Sequence, residues 1–172
     1  FQKPSKSNDL TIRNGKPIFG IVGAPFSGEI WSGSVFDIEK TEQEESYTGS
    51  SLRIVMSKSH QTDVDKSFLD FLRLKDISFS IIEKGSSLKI CSLATGDADF
   101  YPRFGPTSEW DIAAAEGFLR SKGGLIVKAK DFSDLSYGKT DSILNPPFFG
   151  FRNNDLKDKF MPILSEFTKK LL

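Results

Sequence analysis

The stretch ADFYPRFGPTSEWDIAAAEGFLRSKGGLIVKA, residues 98–129, decides the fold because it contains a strand, a helix and a second strand in one continuous pattern. A short apolar run predicts a strand over Ala98 to Arg103. Small and apolar residues predict a helix from Trp110 to Ser121 that is stopped by Gly123-Gly124. The next apolar run predicts a strand over Leu125 to Ala129. This order is typical of an α/β layered domain.

The same alternation precedes this stretch. The pattern predicts a strand over Arg53 to Ser57, a helix over Asp63 to Leu74 and a strand over Phe79 to Ile82. Ser86 or Ser87 is expected to cap a further helix that runs to about Thr95. We therefore predict an α/β fold, with a layered mixed or mostly parallel sheet and flanking helices. In such sheets, ligands bind where strands run out into helix N-termini.

The outer segments carry weaker or simpler signals. Lys16 to Pro25 and Glu29 to Gly33 predict a β-hairpin, whereas Gln2 to Asp9 is polar and gives no structural signal. Glu39 to Ser51 is rich in Glu, Thr and Ser and is expected to be an exposed excursion. Asp155 to Leu172 predicts a terminal amphipathic helix whose apolar side packs on the core.

Composition limits the classes of function. The chain of 172 residues fits one domain. Its 23 basic and 23 acidic residues leave no net charge that would indicate attraction to a nucleic acid or a membrane surface. Its one cysteine, Cys91, excludes an internal disulfide framework, and its apolar neighbours predict a buried thiol. No apolar run approaches the roughly 20 residues of a membrane span. We therefore expect a soluble protein of the cytoplasm, and peripheral association with the inner face of the cell membrane stays open.

The loop from Arg103 to Asp111 places a cation and a carboxylate at the start of a small-residue helix. Arginine binds phosphate oxygens, and a carboxylate is a hard oxygen ligand for Mg²⁺, so the pair suits phosphate chemistry. The alternative is structural, because aspartate is also a common helix N-cap and the arginine could be a surface residue.

Two other strand-to-helix junctions carry side chains suited to oxyanions. Ser57-Lys58-Ser59-His60 contains the only histidine, and Gly85-Ser86-Ser87-Leu88-Lys89 combines a glycine turn, a helix start and a lysine. Helix amides that lack partners favour anions, and Lys89 can project toward the same ligand. Each junction also has a purely structural interpretation. In the first, His60 would be a solvated residue, and in the second, a serine would cap the helix beside a solvated Lys89. Because all three junctions follow strands of one sheet, His60, Ser86, Lys89, Arg103 and Asp111 are expected to converge on one edge.

These residues resemble the Mg²⁺-dependent inositol monophosphatase superfamily, in its C-terminal half. Trp110-Asp111-Ile112-Ala113-Ala114-Ala115 followed by Lys122-Gly123-Gly124 is similar to the second signature of that superfamily. The three junctions resemble its 3′(2′),5′-bisphosphate nucleotidase branch, of the bacterial CysQ type. Ser142-Ile143-Leu144-Asn145-Pro146 resembles the near-terminal stretch of the same branch.

The resemblance implies hydrolysis of adenosine 3′,5′-bisphosphate to AMP and phosphate. It implies that Asp111 is a catalytic residue and a ligand to Mg²⁺, and that His60, Ser86, Lys89 and Arg103 hold the nucleotide substrate. An inositol monophosphatase and a non-catalytic nucleotide-binding module are the alternatives.

The chain also departs from the family pattern. The other signature, Asp-Pro-Leu-Asp-Gly-Thr, is absent. Residues 1–172 are therefore expected to be the C-terminal α/β domain of a longer phosphatase, whose N-terminal half completes the metal site.

Overall fold

The structure, a computed structural model, describes residues 7–37, 51–57 and 62–171. The predicted excursion over Glu39 to Ser51 lies outside them except for Ser51, and His60 also lies outside them. In chain order the described elements are β1 (Ser7–Arg13), β2 (Lys16–Ala24), β3 (Glu29–Ser34), β4 (Leu52–Met56), α1 (Asp63–Leu74), β5 (Phe79–Glu83), α2 (Leu88–Ala94), β6 (Phe100–Arg103), β7 (Thr107–Ser108), α3 (Glu109–Ser121), β8 (Leu125–Lys128), β9 (Leu144–Asn145), β10 (Phe148–Phe151) and α4 (Asn154–Leu171).

A five-stranded mixed sheet forms the centre, in the order β5-β4-β6-β10-β8. Strand β4 pairs in parallel with both β5 and β6, whereas β10 pairs antiparallel with β6 and with β8. This confirms the predicted α/β fold with a mixed sheet. The carboxyl ends of β4, β5 and β6 consequently lie at one edge, where ligands bind in sheets of this kind.

Helices cover both faces of this sheet. On one face, α1 and α4 bury an apolar layer to which Phe68, Leu72, Leu156 and Phe160 contribute. On the other face, α2 and α3 pack on side chains that include Phe148. Successive strand residues point to opposite faces, so Phe148 and Phe149 belong to different apolar layers. The predicted packing role of the terminal helix is confirmed.

The β1-β2-β3 antiparallel sheet packs on the outer side of α3. The approach is close, because a Cβ atom added at Gly20 would lie 1.9 Å from the Ala114 carbonyl oxygen. Gly117 faces the same strand, and a Cβ there would lie 2.7 Å from the Phe19 carbonyl oxygen. Small residues on α3 therefore serve to bring helix and strand backbones together.

Four strands were not expected from the sequence, and two of them are the two-residue strands β7 and β9. Ser7–Arg13 forms β1, paired with β2, although residues up to Asp9 gave no structural signal. Phe148–Phe151 forms β10, which separates β6 from β8. The predicted hairpin is confirmed as β2 and β3, and Cys91 is buried as expected.

Candidate functional site

One cavity lies at the carboxyl ends of the parallel strands, with a volume of about 310 Å³. The predicted residues Ser86, Lys89, Arg103 and Asp111 all line it. They come from the segments that follow β5 and β6, and Ser57 from the end of β4 lines it too. The structure thus brings together residues from all three predicted junctions.

Lys89 is almost fully buried, with 4 % of its surface exposed. Its Nζ lies 5.5 Å from the centroid of the Tyr101 ring, within the range of a cation–π interaction. Lys89 is therefore not the solvated side chain that the purely structural interpretation of this junction required. Its ammonium group contributes positive charge at the inner wall of the cavity.

Arg103 leaves β6 at the mouth of the same cavity. One of its terminal nitrogens donates to the Pro106 carbonyl oxygen at 3.1 Å, and its Nε is buried without a hydrogen-bond partner among the described residues. Within the described residues, no carboxylate forms an ion pair with Arg103. The guanidinium is therefore half-buried and positioned by its loop, and no carboxylate of the described residues pairs with its charge.

Asp111 occupies the third position of α3, not the N-cap, which is Ser108. Its Oδ2 accepts a hydrogen bond from the Ser108 backbone N–H at 2.7 Å. No described residue donates a hydrogen bond to its other carboxylate oxygen. Asp111 is exposed to the cavity, so one oxygen caps the helix and the other can reach a ligand.

The helix start after Gly85 differs from the expectation. Ser87 is at the N-cap position of α2, but its backbone is already helical and its hydroxyl makes no capping bond. The cause is Ser86, whose φ of +47° turns the chain so that backbone carbonyls meet the first amides. The Lys89 and Ile90 N–H groups donate to the carbonyls of Ser86 and Ser87, so these two amides are not directed at a ligand.

Two hydroxyl-bearing residues of the cavity received no role from the sequence. Tyr101 and Thr107 both line the cavity and lie on either side of Arg103 in the sequence, but only Arg103 suggested phosphate chemistry. Burial raises the pKa of the Tyr101 phenol, which the positive charge of Arg103 partly opposes. Tyr101 is consequently a neutral hydrogen-bond donor at physiological pH.

The described residues do not form a complete metal site. No group of three or more His, Cys, Asp or Glu side chains within residues 7–37, 51–57 and 62–171 is arranged to hold an ion. Asp111 is a suitable oxygen ligand, but Mg²⁺ sites in phosphatases use several oxygen ligands. A cavity with cations on its walls at the ends of parallel strands is typical of α/β proteins that bind phosphorylated small molecules.

The chain belongs to the inositol monophosphatase family, whose model matches residues 10–166. It is 34 % identical over 146 residues to the 3′(2′),5′-bisphosphate nucleotidase CysQ of Escherichia coli strain K12, covering 82 % of this chain and 57 % of that protein. It is 33 % identical over 154 residues to the protein of the same name from Buchnera aphidicola, covering 83 % of this chain and 55 % of the relative.

A solved structure gives the same result for the fold. The crystal structure of CysQ from Bacteroides thetaiotaomicron, described as a bacterial member of the inositol monophosphatase family, aligns with a TM-score of 0.73 at 28 % identity. The alignment covers 85 % of this chain and 62 % of that chain. The present chain therefore spans somewhat more than half the length of these relatives, and the resemblance inferred from Trp110-Asp111 and the Gly-Gly turn is confirmed.

No helix in the described part of the chain combines the length and the apolar character that crossing a membrane requires.

Proposed function

We propose that this chain is the C-terminal α/β domain of a Mg²⁺-dependent 3′(2′),5′-bisphosphate nucleotidase that converts adenosine 3′,5′-bisphosphate to AMP and phosphate. One observation carries the proposal, namely the cavity in which Lys89, Arg103 and Asp111 meet at the ends of β4, β5 and β6. The relatives named as bisphosphate nucleotidases support the choice of substrate.

The charge of the cavity favours a bisphosphate over a monophosphate. Lys89 and Arg103 provide two cations, and the non-scissile phosphate gives them a ligand of opposite charge. Ser86 lines the same cavity and supplies a hydroxyl for the nucleotide. His60 is proposed to complete the nucleotide contacts, and this assignment rests on the family resemblance alone.

Asp111 is the proposed contribution of this domain to metal binding. Bound Mg²⁺ would supply electrostatic stabilisation and an activated water for phosphate ester hydrolysis. The remaining carboxylates are proposed to come from an N-terminal half of the same protein. Within the described chain, the role of α3 is to hold the Asp111 carboxylate at the cavity through the hydrogen bond to Ser108.

The test is phosphate release from adenosine 3′,5′-bisphosphate and from inositol 1-phosphate, with and without Mg²⁺, in the protein that includes the N-terminal half. We expect Mg²⁺-dependent release from the bisphosphate. Lys89→Met and Arg103→Met should each weaken nucleotide binding about 10- to 100-fold, because hydrogen bonds to charged groups contribute about 1.5–3 kcal/mol. Mg²⁺ affinity should be spared.

Other outcomes would reject the assignment. Preference for inositol 1-phosphate would indicate an inositol monophosphatase. Nucleotide binding without any turnover would indicate a binding module. Unchanged bisphosphate turnover in the Lys89→Met and Arg103→Met variants would show that these cations do not hold the second phosphate.

A further inference from the structure

The segment that ends in β9 has a structural connection to the cavity. Asn145 of β9 pairs with Thr107 of β7, and Thr107 lines the cavity between Arg103 and Asp111. Asn145 itself is buried, with 7 % of its surface exposed. A backbone hydrogen bond from Glu109 N–H to the Ile143 carbonyl, 2.9 Å long, holds the two segments together beside the start of α3.

The side chains of this pair are joined as well. The Asn145 amide Nδ2 donates to the Thr107 hydroxyl oxygen at 3.2 Å. A hydroxyl has one hydrogen to donate in addition to the lone pairs with which it accepts. With the amide in this orientation, no described residue accepts the Thr107 hydroxyl hydrogen, which can then be donated to a ligand in the cavity.

The orientation of the Asn145 amide determines whether that hydrogen is available. Asn145 Oδ1 is buried and has no hydrogen-bond partner among the described residues. Turning the amide over would leave Nδ2 without a partner in place of Oδ1, so internal hydrogen bonding does not favour either orientation. A ligand oxygen that accepts from Thr107 would favour the orientation seen, because the turned amide would consume the hydroxyl hydrogen.

We propose that Thr107 is a further ligand-binding residue that donates a hydrogen bond to a phosphate oxygen, and that Asn145 is a positioning residue that directs this donation. The inference rests on the proposed function, since it concerns the phosphate-bearing ligand of the same cavity. It adds a neutral donor to the charged groups Arg103 and Lys89. It also gives a role to the stretch Ser142 to Pro146, which the proposed function leaves without one.

The test is titration calorimetry of AMP binding to the protein that includes the N-terminal half, with adenosine as the ligand that lacks a phosphate. Thr107→Val removes the hydroxyl and preserves the shape, and it should weaken AMP binding about 10-fold. Thr107→Ser restores the hydroxyl and should bind AMP within about 3-fold of the unmodified chain. Adenosine affinity should not change. Thr140→Val is the matched control, because Thr140 is exposed and its hydroxyl bonds to Asp141 away from the cavity.

A double-mutant cycle tests the role of Asn145. Asn145→Leu should weaken AMP binding about 3- to 10-fold in the unmodified chain and not at all in the Thr107→Val background, because its effect passes through the hydroxyl. Thermal unfolding without ligand shows which variants are folded. If Asn145→Leu fails to fold, the Thr107 variants still decide whether the hydroxyl binds phosphate.

The outcomes separate this inference from the proposed function. AMP binding that is weakened by Arg103→Met but not by Thr107→Val would overturn the inference alone. An Asn145→Leu effect of equal size in both backgrounds would overturn the positioning role. Absence of AMP binding by the unmodified protein that includes the N-terminal half would overturn both.

Discussion

Replacing Asp111 by asparagine distinguishes a helix-capping residue from a metal ligand. The asparagine carbonyl oxygen can still accept the Ser108 N–H, which Asp111 Oδ2 accepts at 2.7 Å. The change in stability is then limited to a lost negative charge at the N-terminus of α3, about 0.3–1 kcal/mol. For a chain of this length the melting temperature should fall by about 1–4 °C.

The effect on activity should be much larger. A metal ion supplies several kcal/mol of transition-state stabilisation, and each 1.36 kcal/mol corresponds to a tenfold change in rate. Asp111→Asn should therefore reduce Mg²⁺-dependent phosphate release from adenosine 3′,5′-bisphosphate by about 100-fold or more. The assay uses the protein with its N-terminal half, and the variant is compared at saturating Mg²⁺.

Glu109→Gln provides the matched control. Glu109 lies in the same first turn of α3, but it does not line the cavity. Its carboxylate accepts hydrogen bonds from the Gly138 and Lys139 backbone N–H groups. This variant also removes one negative charge from the helix start, and its turnover should stay within about 2-fold of the unmodified protein. Wild-type turnover by Asp111→Asn would refute the metal-ligand reasoning and leave only the capping role.

Two further predictions concern stability. Glu116 is completely buried beside Arg120, and burial raises the pKa of its carboxyl although Arg120 opposes the shift. Arg120→Met should lower the free energy of unfolding by about 3–5 kcal/mol near neutral pH, because it leaves the buried Glu116 carboxylate without its cation. The loss should be smaller at lower pH, because a group with a raised native pKa, here Glu116, contributes stability that is lost as pH rises through that pKa. Melting temperatures at pH 5 and pH 8 measure this, and an equal loss at both would contradict it. Gly20→Ala should lower the free energy of unfolding by about 1–3 kcal/mol, because its Cβ meets the Ala114 carbonyl oxygen. Gly85→Ala is the control, because a Cβ there meets no atom of the described residues within 4 Å. Denaturant unfolding compares the two, and equal midpoints would contradict the close packing.

Segments with a regular pattern were predicted closely from the sequence. The helix over Asp63 to Leu74 has the predicted bounds, since apolar residues at helical spacing match the face that packs on the sheet. The strand after it was predicted to within one residue at its end. Local periodicity is sufficient for such elements because each one buries a single continuous face.

Strands whose pairing is nonlocal were harder to predict. The run Phe148–Phe151 is apolar throughout and has no alternation, because β10 is buried on both faces. Its partners Phe100–Arg103 and Leu125–Lys128 are distant in sequence, so no local signal places it between them. At the other extreme, Ser7–Arg13 is largely exposed and polar at its start, and pairing with β2 outweighs that composition.

The candidate site was predictable where it depends on topology. Carboxyl ends of parallel strands meet at one edge, so the convergence of Lys89, Arg103 and Asp111 followed from the alternating pattern. The backbone conformation of Ser86 was not predictable, because a positive φ is uncommon for a residue other than glycine. The hydrogen bond between Thr107 and Asn145 joins residues 38 positions apart and has no local signature.

The antiparallel strand β10 also links the cavity to the order in which the chain is synthesised. Strands β6 and β8 emerge from the ribosome first, but they do not pair with each other and must wait for Phe148–Phe151 to enter between them. Without that strand, the edge of β6 that leads into Arg103 would lack the backbone partners that β10 provides. The loop that begins at Arg103 therefore depends on a strand that is synthesised after it. We expect chains in which β10 has not yet been inserted to be the most prone to aggregation, because unpaired strand edges can pair with other chains.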